Sequence, residues 1–262
     1  MLSCKKKSTQ NDFIYGEFGQ IPLVNRRKTN ILKYWLKIMS GKKSAYVCNC
    51  YHVLYEQTVN RANCVNWVSQ VRDMLFHLGF GEVWYNQGVE NQDSFIYLFK
   101  QRVNDTFGQI WHSSVENSTR ARTYKLIRTE FMTRKYLELL NCPAHLTAFA
   151  RLVTSSHRLR VETGRWDKPA ATEYKDRKCQ LCNSRDIEDE YHFVLICPTF
   201  ALIRKQYIPR QYWQRPNMVK FEILMNNNSA HVIKALAKYT HLAFRRRDEF
   251  FMQQRNRNVV LV

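Results

Sequence analysis

The amino-acid sequence predicts a mostly α-helical protein: a helical bundle with one small irregular module toward the carboxy terminus. Apolar residues recur three and four positions apart through most of the 262-residue chain, which is the spacing of a helix with one buried face. Hydrophobic residues make up 45% of the chain and aromatic residues 13%, so a sizeable core can form. The helical spacing lapses after Ser155, where Gly164 and Pro169 interrupt a polar stretch that leads into a cluster of cysteines.

The individual helices are predicted from their apolar stripes and their end signals. They cover residues 29–39, 63–79, 93–111 and 143–154, followed by two helices from about residues 219 and 230, the last ending in the arginine run 245–247. Asn63 is the expected amino-terminal cap of the second helix and Gly79 its stop. Pro143 suits a first helical turn because its missing N–H is not needed there.

Composition divides the chain into four predicted regions, without any visible internal repeat. They are a basic, partly disordered lead-in (1–28), an α-helical domain (29–155), a basic segment with the cysteine-containing module (156–216), and carboxy-terminal helices with a basic tail (217–262).

The chain is strongly basic, with 41 Lys and Arg residues against 22 Asp and Glu and a formal net charge of +19. Such an excess predicts an anionic partner, RNA and/or DNA, more readily than an acidic membrane surface. No apolar run reaches signal-peptide or membrane-spanning length, so we expect an intracellular protein, nuclear and/or cytoplasmic, with no membrane partner and no small-molecule substrate. The eight cysteines are then better explained as thiols or metal ligands than as a disulfide framework.

The segment "CQLCNSRDIEDEYHFVLIC" has ligand spacing C-x2-C-x9-H-x4-C, formed by Cys179, Cys182, His192 and Cys197. Two thiolates three residues apart can face one ion across a tight turn, and the later histidine and cysteine match the second half of many zinc modules. Side chains five apart in a regular α-helix point about 140° away from one another. Pro198 disfavours helical geometry at Cys197, so the chain can turn that sulfur back toward the metal.

The acidic residues before His192 are interpreted as the capped first turn of a short helix. Because four protein ligands leave no open position, the sequence predicts one structural zinc ion.

The cysteines also admit a redox pair and a second metal site as alternatives. A redox C-x-x-C would normally open a helix after a buried strand, whereas a polar segment precedes Cys179. Cys48, Cys50 and His52, with Cys64 further on, form a weaker second pattern whose one-residue gaps are awkward for a tetrahedral ion.

Basic residues flank the cysteine module on both sides and are the predicted nucleic-acid contacts. These residues are Arg158, Arg160, Arg165, Lys175, Arg177, Lys178, Arg204 and Lys205. Trp166, Tyr174, Tyr207 and Trp213 interleave with them, a mixture suited to phosphate contact and base stacking. The alternative for any one of these residues is an ordinary solvated surface position.

Catalytic patterns are hard to find. The sequence contains no adjacent aspartate pair, no phosphate-binding G-x-x-x-x-G-K-[ST] loop, no H-E-x-x-H and no G-x-S-x-G. His157 follows Ser155 and Ser156, but no third group or oxyanion device accompanies them, so a packed or surface histidine is the preferred interpretation.

Nearly the whole chain, from about Asp12 to Phe250, resembles the carboxy-terminal third of non-LTR (LINE-type) retrotransposon polyproteins. The resembling blocks are "YGEFGQIPLVNRRKTNILKYWLK", "FGEVWYNQ", "FKQRVNDTFGQIWH", "SSHRLRVETGRWDK" and "DRKCQLCNSRDIEDEYHFVLICPTFALIRKQYI", of which the last is the most specific. The resemblance implies that this last block is a reverse-transcriptase CCHC zinc-binding module that helps to hold template RNA or target DNA during target-primed reverse transcription. The [FY]-x-D-D polymerase motif, the amino-terminal endonuclease and a downstream Pro-Asp nuclease signature are absent, so we expect no catalytic activity from this chain.

Three hypotheses follow. The chain is a non-catalytic nucleic-acid-binding fragment with one structural zinc; or it works as part of an RNA-directed DNA polymerase, with an upstream reverse transcriptase domain as its partner; or it is a protein-interaction module with no nucleic-acid role.

Overall fold

The computed structural model describes residues 10–61 and 63–260. Those residues are mostly helical, and within them extended pairing is limited to two isolated β-bridges, Phe18 with Thr133 and Lys178 with Ile187. The predicted fold class is therefore confirmed, including the irregular module near the carboxy terminus. In the same ranges, no helix combines the length and the apolar character needed to cross a bilayer.

The α-helices of the described residues are numbered in chain order. They are α1 (Asn11–Phe18), α2 (Leu23–Met39), α3 (Ala45–Asn60), α4 (Trp67–His77), α5 (Gly81–Tyr85), α6 (Gln92–Asn117), α7 (Arg122–Ile127), α8 (Tyr136–Leu139), α9 (Pro143–Val153), α10 (Arg160–Thr163), α11 (Ala201–Tyr207), α12 (Arg210–Trp213), α13 (Met218–Met225) and α14 (Ala230–Val260).

Several predicted bounds were wrong. The cap of α4 is Asn66 and not Asn63: the Asn66 side chain accepts from the Ser69 amide at 2.8 Å, and the Asn66 amide donates to Ser69 Oγ at 3.0 Å. The last helix continues past Arg247 to Val260, because no Gly or Pro follows the arginine run to end it. Residues 1–9 of the predicted lead-in (1–28) lie outside the described residues, and Asn11 already begins α1.

The chain forms two compact units, Ile21–Trp111 and a larger one made of Met1–Gln20 with His112–Val262. The four predicted regions follow composition and not contacts, and their boundaries stay predictions.

The Ile21–Trp111 unit has a core of aromatic and aliphatic side chains. Trp35 from α2, Tyr51 from α3, Leu75 from α4 and Phe99 from α6 are all buried in it. Trp35 Nε1 donates to the Tyr51 hydroxyl at 3.1 Å, so the polar atoms of these two large side chains are paired inside the core. Burial of each such side chain stabilises the unit by roughly 1.5–3 kcal/mol.

The larger unit is organised around α14, against which α8, α9 and α11 pack. Leu236, Ala237 and Ala243 lie on its buried face. Phe193 from the irregular module stacks on Phe244 of α14 with ring centroids 4.7 Å apart. The module is therefore packed directly on the long helix.

Candidate metal centre

A short hairpin presents the first two cysteines. The Cys179 amide donates to the Asp186 carbonyl at 2.8 Å and the Glu188 amide to the Arg177 carbonyl at 2.9 Å, which closes the antiparallel bridge. Arg185 has a φ of 60°, a left-handed conformation that reverses the chain within the loop. Both sulfurs therefore emerge from one tight turn, as the C-x2-C spacing predicts.

A π-helical turn presents the other two ligands. The Asp189 side chain accepts from the His192 amide at 2.8 Å, which confirms a capped first turn. The turn covers His192–Ile196, and the Cys197 amide donates to the His192 carbonyl at 2.7 Å. Because a π turn joins residues five apart, it brings two side chains to one side that a regular α-helix would separate. Helical geometry is indeed left at Cys197, and Pro198 begins a 3₁₀ turn.

The four side chains converge on one point. Their ligand atoms all lie within 4.8 Å of one another. Cys179 Sγ and Cys197 Sγ are 4.0 Å apart, and Cys182 Sγ lies 3.4 Å from His192 Nε2. A tetrahedral zinc ion, with Zn–S about 2.3 Å and Zn–N about 2.0–2.1 Å, requires separations of about 3.8 Å and about 3.5 Å for such pairs. The cluster could hold a metal ion with no open coordination position.

The charge state of the thiols fits this role. The hydrogen bond from the Cys179 thiol, which outweighs the opposing effect of burial, lowers the pKa of Cys197 to about 4, with His192 and Thr199 as further donors. The same hydrogen bond, together with burial, raises the pKa of Cys179. A divalent ion binds cysteines as thiolates, so its binding would displace any proton held between these two sulfurs.

The Asp186 carboxylate lies near the Nδ1 side of the His192 imidazole. His192 is buried, and its Nδ1 lies 3.6 Å from Asp186 Oδ2, just beyond direct hydrogen-bond distance. A carboxylate on the far side of a ligating ring favours Nδ1–H and leaves Nε2 free for the metal. Among the described residues, Nδ1 makes no direct hydrogen bond, and Asp186 is the carboxylate that faces it.

Two buried arginines form hydrogen bonds to the segments that carry the metal ligands. Arg204 donates to the Val194 carbonyl at 2.8 Å and to the Cys197 carbonyl at 2.7 Å, which occupies acceptors at the end of the π turn. Arg247 forms a bidentate pair with Glu188 at 2.7 and 3.0 Å, and the Glu188 carboxylate also accepts from the Arg160 amide at 2.7 Å.

Neither Glu188 nor Arg247 was predicted as part of the site. One signal was present in the sequence: Arg247 follows Ala243 by four residues and so falls on the buried face of α14.

A second carboxylate anchors the module to the loop after α9. Buried Glu190 accepts from Thr123 at 2.8 Å and Ser155 at 3.2 Å and pairs with His157 Nε2 at 2.9 Å. Burial alone would raise the pKa of Glu190, but the charge and hydrogen bond of His157 and the Thr123 contact lower it to about 2. His157 is therefore a packed residue, as preferred from the sequence.

The predicted nucleic-acid contacts fall into three groups. The exposed ones are Arg158, Lys175, Lys178 and Lys205. Arg160 is half-buried and pairs with Asp167, while Arg165 pairs with Glu162 at 3.2 Å.

The third group is buried: Arg204, described above, and Arg177, which donates to the Val161 carbonyl at 2.7 Å. The Arg177 and Arg204 side chains donate to backbone carbonyls inside the protein, so neither is proposed to contact nucleic acid. The binding role of the other six residues stays a prediction.

The four predicted stacking aromatics also differ in access. Trp166 is 72% exposed. The Arg122 guanidinium lies 3.6 Å from the centroid of the Tyr174 ring, and the Lys238 ammonium 5.0 Å from that of Tyr207. Trp213 donates to the Ile208 carbonyl at 2.9 Å. Trp166 is thus the most exposed of the four rings, and base stacking by any of them stays a prediction.

The second cysteine pattern is not assembled into a metal site. Among the described residues, the cluster of Cys179, Cys182, His192 and Cys197 is the group whose ligand atoms converge. Cys48 lies on α3 with its sulfur 3.9 Å from the Lys43 carbonyl, and Asn66 Nδ2 donates to Cys64 Sγ at 3.2 Å.

Fold and site together define a mostly helical protein with a buried cluster of three cysteines and one histidine that could hold a metal ion. No family model, no curated protein and no solved structure matches this chain.

Proposed function

We propose that this chain is a non-catalytic nucleic-acid-binding module, of the kind found in the carboxy-terminal region of non-LTR retrotransposon polyproteins, in which one structural zinc ion orders the residues around the cysteine cluster. In that role it helps to hold template RNA or target DNA during target-primed reverse transcription. The observation that carries the proposal is the coexistence of a closed four-ligand metal cluster with a large surface excess of positive charge.

The donor set supports zinc. Three thiolates and an imidazole are soft ligands suited to a tetrahedral ion, and hard cations such as Mg²⁺ prefer oxygen. With all four positions filled by protein atoms, no water can be activated, so the ion has a structural role. Its binding contributes on the order of 10 kcal/mol to ordering the module.

The placement of charge supports an anionic partner. Among the described residues, the buried arginines and the buried glutamates are equal in number. They are Arg128, Arg177, Arg204 and Arg247, and Glu17, Glu162, Glu188 and Glu190. Four buried guanidinium groups balance four buried carboxylates, so the excess positive charge lies outside this interior. A surface excess of this size attracts the phosphate backbone of nucleic acid.

Two measurements test the proposal. Purified wild-type protein is expected to contain one zinc ion per chain by elemental analysis, and Cys182→Ser is expected to lose it. Binding to single-stranded RNA and to duplex DNA is expected to weaken steeply between about 50 and 200 mM salt.

Zinc retained by Cys182→Ser would exclude the proposed ligand set. Affinity independent of salt would exclude the phosphate contacts and would favour a protein-interaction module.

A further inference from the structure

The first half of α14 carries a continuous basic face. Residues 230–247 contain no Asp or Glu. Lys234, Lys238 and Arg245 are exposed and His241 is half-buried. Spacings of four, three and four residues place them on one side of the helix, over about 16 Å at 1.5 Å per residue. The opposite side is the buried face that contacts the rest of the larger unit.

The surroundings do not neutralise this face. The helices α9 and α11, which pack against α14, contain no acidic residue, and on α8 the acidic residue is the exposed Glu138. Burial, then the His145 imidazole and the Arg245 guanidinium, lower the pKa of His241. The first acidic residues on α14 are Asp248 and Glu249, and Glu249 reaches Arg245 only at 3.8 Å on the exposed surface. The field along this side of α14 is therefore positive.

The metal module and α14 are joined by buried contacts. Glu188 precedes the π turn and forms the bidentate pair with Arg247. The Tyr239 hydroxyl donates to the Phe193 carbonyl inside the π turn at 2.6 Å, and Phe193 stacks on Phe244. All three α14 contacts thus go to the segment between the second and fourth ligands, which a bound metal ion would order.

We propose that the α14 basic face, defined as Lys234, Lys238 and Arg245, binds the phosphate backbone of nucleic acid, and that metal binding at the cysteine cluster holds this face in its binding position. The inference rests on the proposed function and adds to it both the location of the contact and its dependence on metal. The residues that flank the module in sequence are then secondary contacts.

A matched control exists in the other unit. Arg26, Lys33 and Lys37 are exposed on α2, at spacings of seven and four, and α2 also contains no acidic residue. The triple variant Lys234→Gln/Lys238→Gln/Arg245→Gln is compared with Arg26→Gln/Lys33→Gln/Lys37→Gln. Both remove three positive charges from the surface of one helix.

Binding of each protein to single-stranded RNA and duplex DNA is measured over a salt series, before and after removal of metal by a chelator. For duplex DNA, the α14 variant is expected to reduce the slope of log affinity against log salt by about three, one for each lost phosphate contact. The α2 variant is expected to keep the wild-type slope within about one. Metal removal is expected to weaken the wild type and the α2 variant roughly tenfold more than the α14 variant, because metal and basic face act as one unit.

Equal slopes for the two variants, or equal metal effects on all three proteins, would overturn the inference while leaving the proposed function intact. A wild-type protein with no salt-dependent binding would instead overturn the proposed function. Loss of binding to anionic vesicles but not to nucleic acid in the α14 variant would assign the face to a membrane and also overturn the inference.

Further measurements test whether the α14 variant has lost its metal or its fold. The α14 variant is expected to keep its metal content and helical circular dichroism, and Lys234→Arg/Lys238→Arg is expected to bind like the wild type. Amide exchange in α14 is expected to rise when metal is removed; unchanged exchange would contradict the coupling.

Discussion

At the residue scale, neighbouring arginines and lysines of the module have different tasks that composition does not distinguish. Arg204 is buried and bonded to two carbonyls, whereas the next residue, Lys205, is exposed. A planar guanidinium can satisfy two fixed acceptors at once, and an ammonium on a flexible stem is suited to the surface. The sequence around Arg204 and Lys205 predicts the same role for both, and only their different burial in the fold distinguishes them.

Arg204→Ala is expected to lower the free energy of unfolding by about 3 kcal/mol, because it removes the guanidinium donor of the buried Val194 carbonyl and leaves the Cys197 carbonyl with only the Phe200 amide at 3.3 Å. Lys205→Ala, the matched control, is expected to change it by less than about 0.5 kcal/mol. Denaturant unfolding of the metal-loaded proteins measures both. Equal effects would mean that the Arg204 contacts contribute nothing.

Asp167 keeps Arg160 occupied over the whole physiological range. The hydrogen bond from Arg160, followed by that from Thr172, lowers the pKa of Asp167 to about 2. Because the folded pKa is below the ordinary value, the stabilising contribution of Asp167 is present above that ordinary value and is lost as the pH falls toward 2. Carboxyl chemical shifts of Asp167 are expected to be constant above about pH 4, and a midpoint at or above the ordinary pKa would contradict the pairing.

Asp167→Asn is expected to release Arg160 and to raise affinity for RNA and DNA severalfold at low salt, since one more cation can reach a phosphate. Glu173→Gln, which releases only the exposed Lys175, is the control and is expected to have a smaller effect. A decrease in affinity for Asp167→Asn would show that the ion pair itself shapes the binding surface.

At the element scale, helices with one clear apolar stripe were predictable and the others were not. The stripe of α4 contains Val71 and Leu75, and both are buried. The helix α3 was missed because apolar residues such as Tyr46 and Val53 lie on its exposed side as well, which removes the period. The four metal ligands could be read from their spacing. The π turn could not, because it depends on backbone hydrogen bonds between residues five apart, for which no side-chain pattern is a signal.

The attachment of the module to α14 is tested by the buried pair of Glu188 and Arg247. Glu188→Gln is expected to cost about 3–5 kcal/mol of unfolding free energy, because the Arg247 charge remains buried without its partner. The double variant Glu188→Gln/Arg247→Met is expected to recover a large part of this loss. Chemical denaturation checks both, with the exposed residue Glu249 changed to Gln as control. A double variant as unstable as the sum of the single changes would show that the pair is not coupled.

At the scale of the whole molecule, the fold class could be predicted from the sequence but the two compact units could not. The boundaries at Gln20 and Trp111 fall at no change of composition, and residues 10–20 belong to a unit that otherwise begins at His112. Contacts such as the Tyr124 hydroxyl with the Phe13 carbonyl at 3.3 Å link positions far apart in the chain. Long-range pairings of this kind leave no periodic signal.

The net charge of +19 has a consequence for stability. Mutual repulsion of surface cations disfavours the compact state, and added salt screens it over a distance of about 10 Å at 0.1 M. The melting temperature of the metal-loaded protein is therefore expected to rise by a few degrees between low and moderate salt concentration. A fall over the same range would indicate that surface ion pairs dominate the balance.

The π turn between His192 and Cys197 also bears on how the ligand pattern can vary in length. Deleting one residue from this interval would place the two ligands four residues apart. Residues at that spacing lie on the same side of an ordinary α-helix, so both ligands would again face the metal. An insertion would have no equally regular helical solution. Chains that share this architecture are therefore expected to tolerate a contraction of the interval better than an expansion.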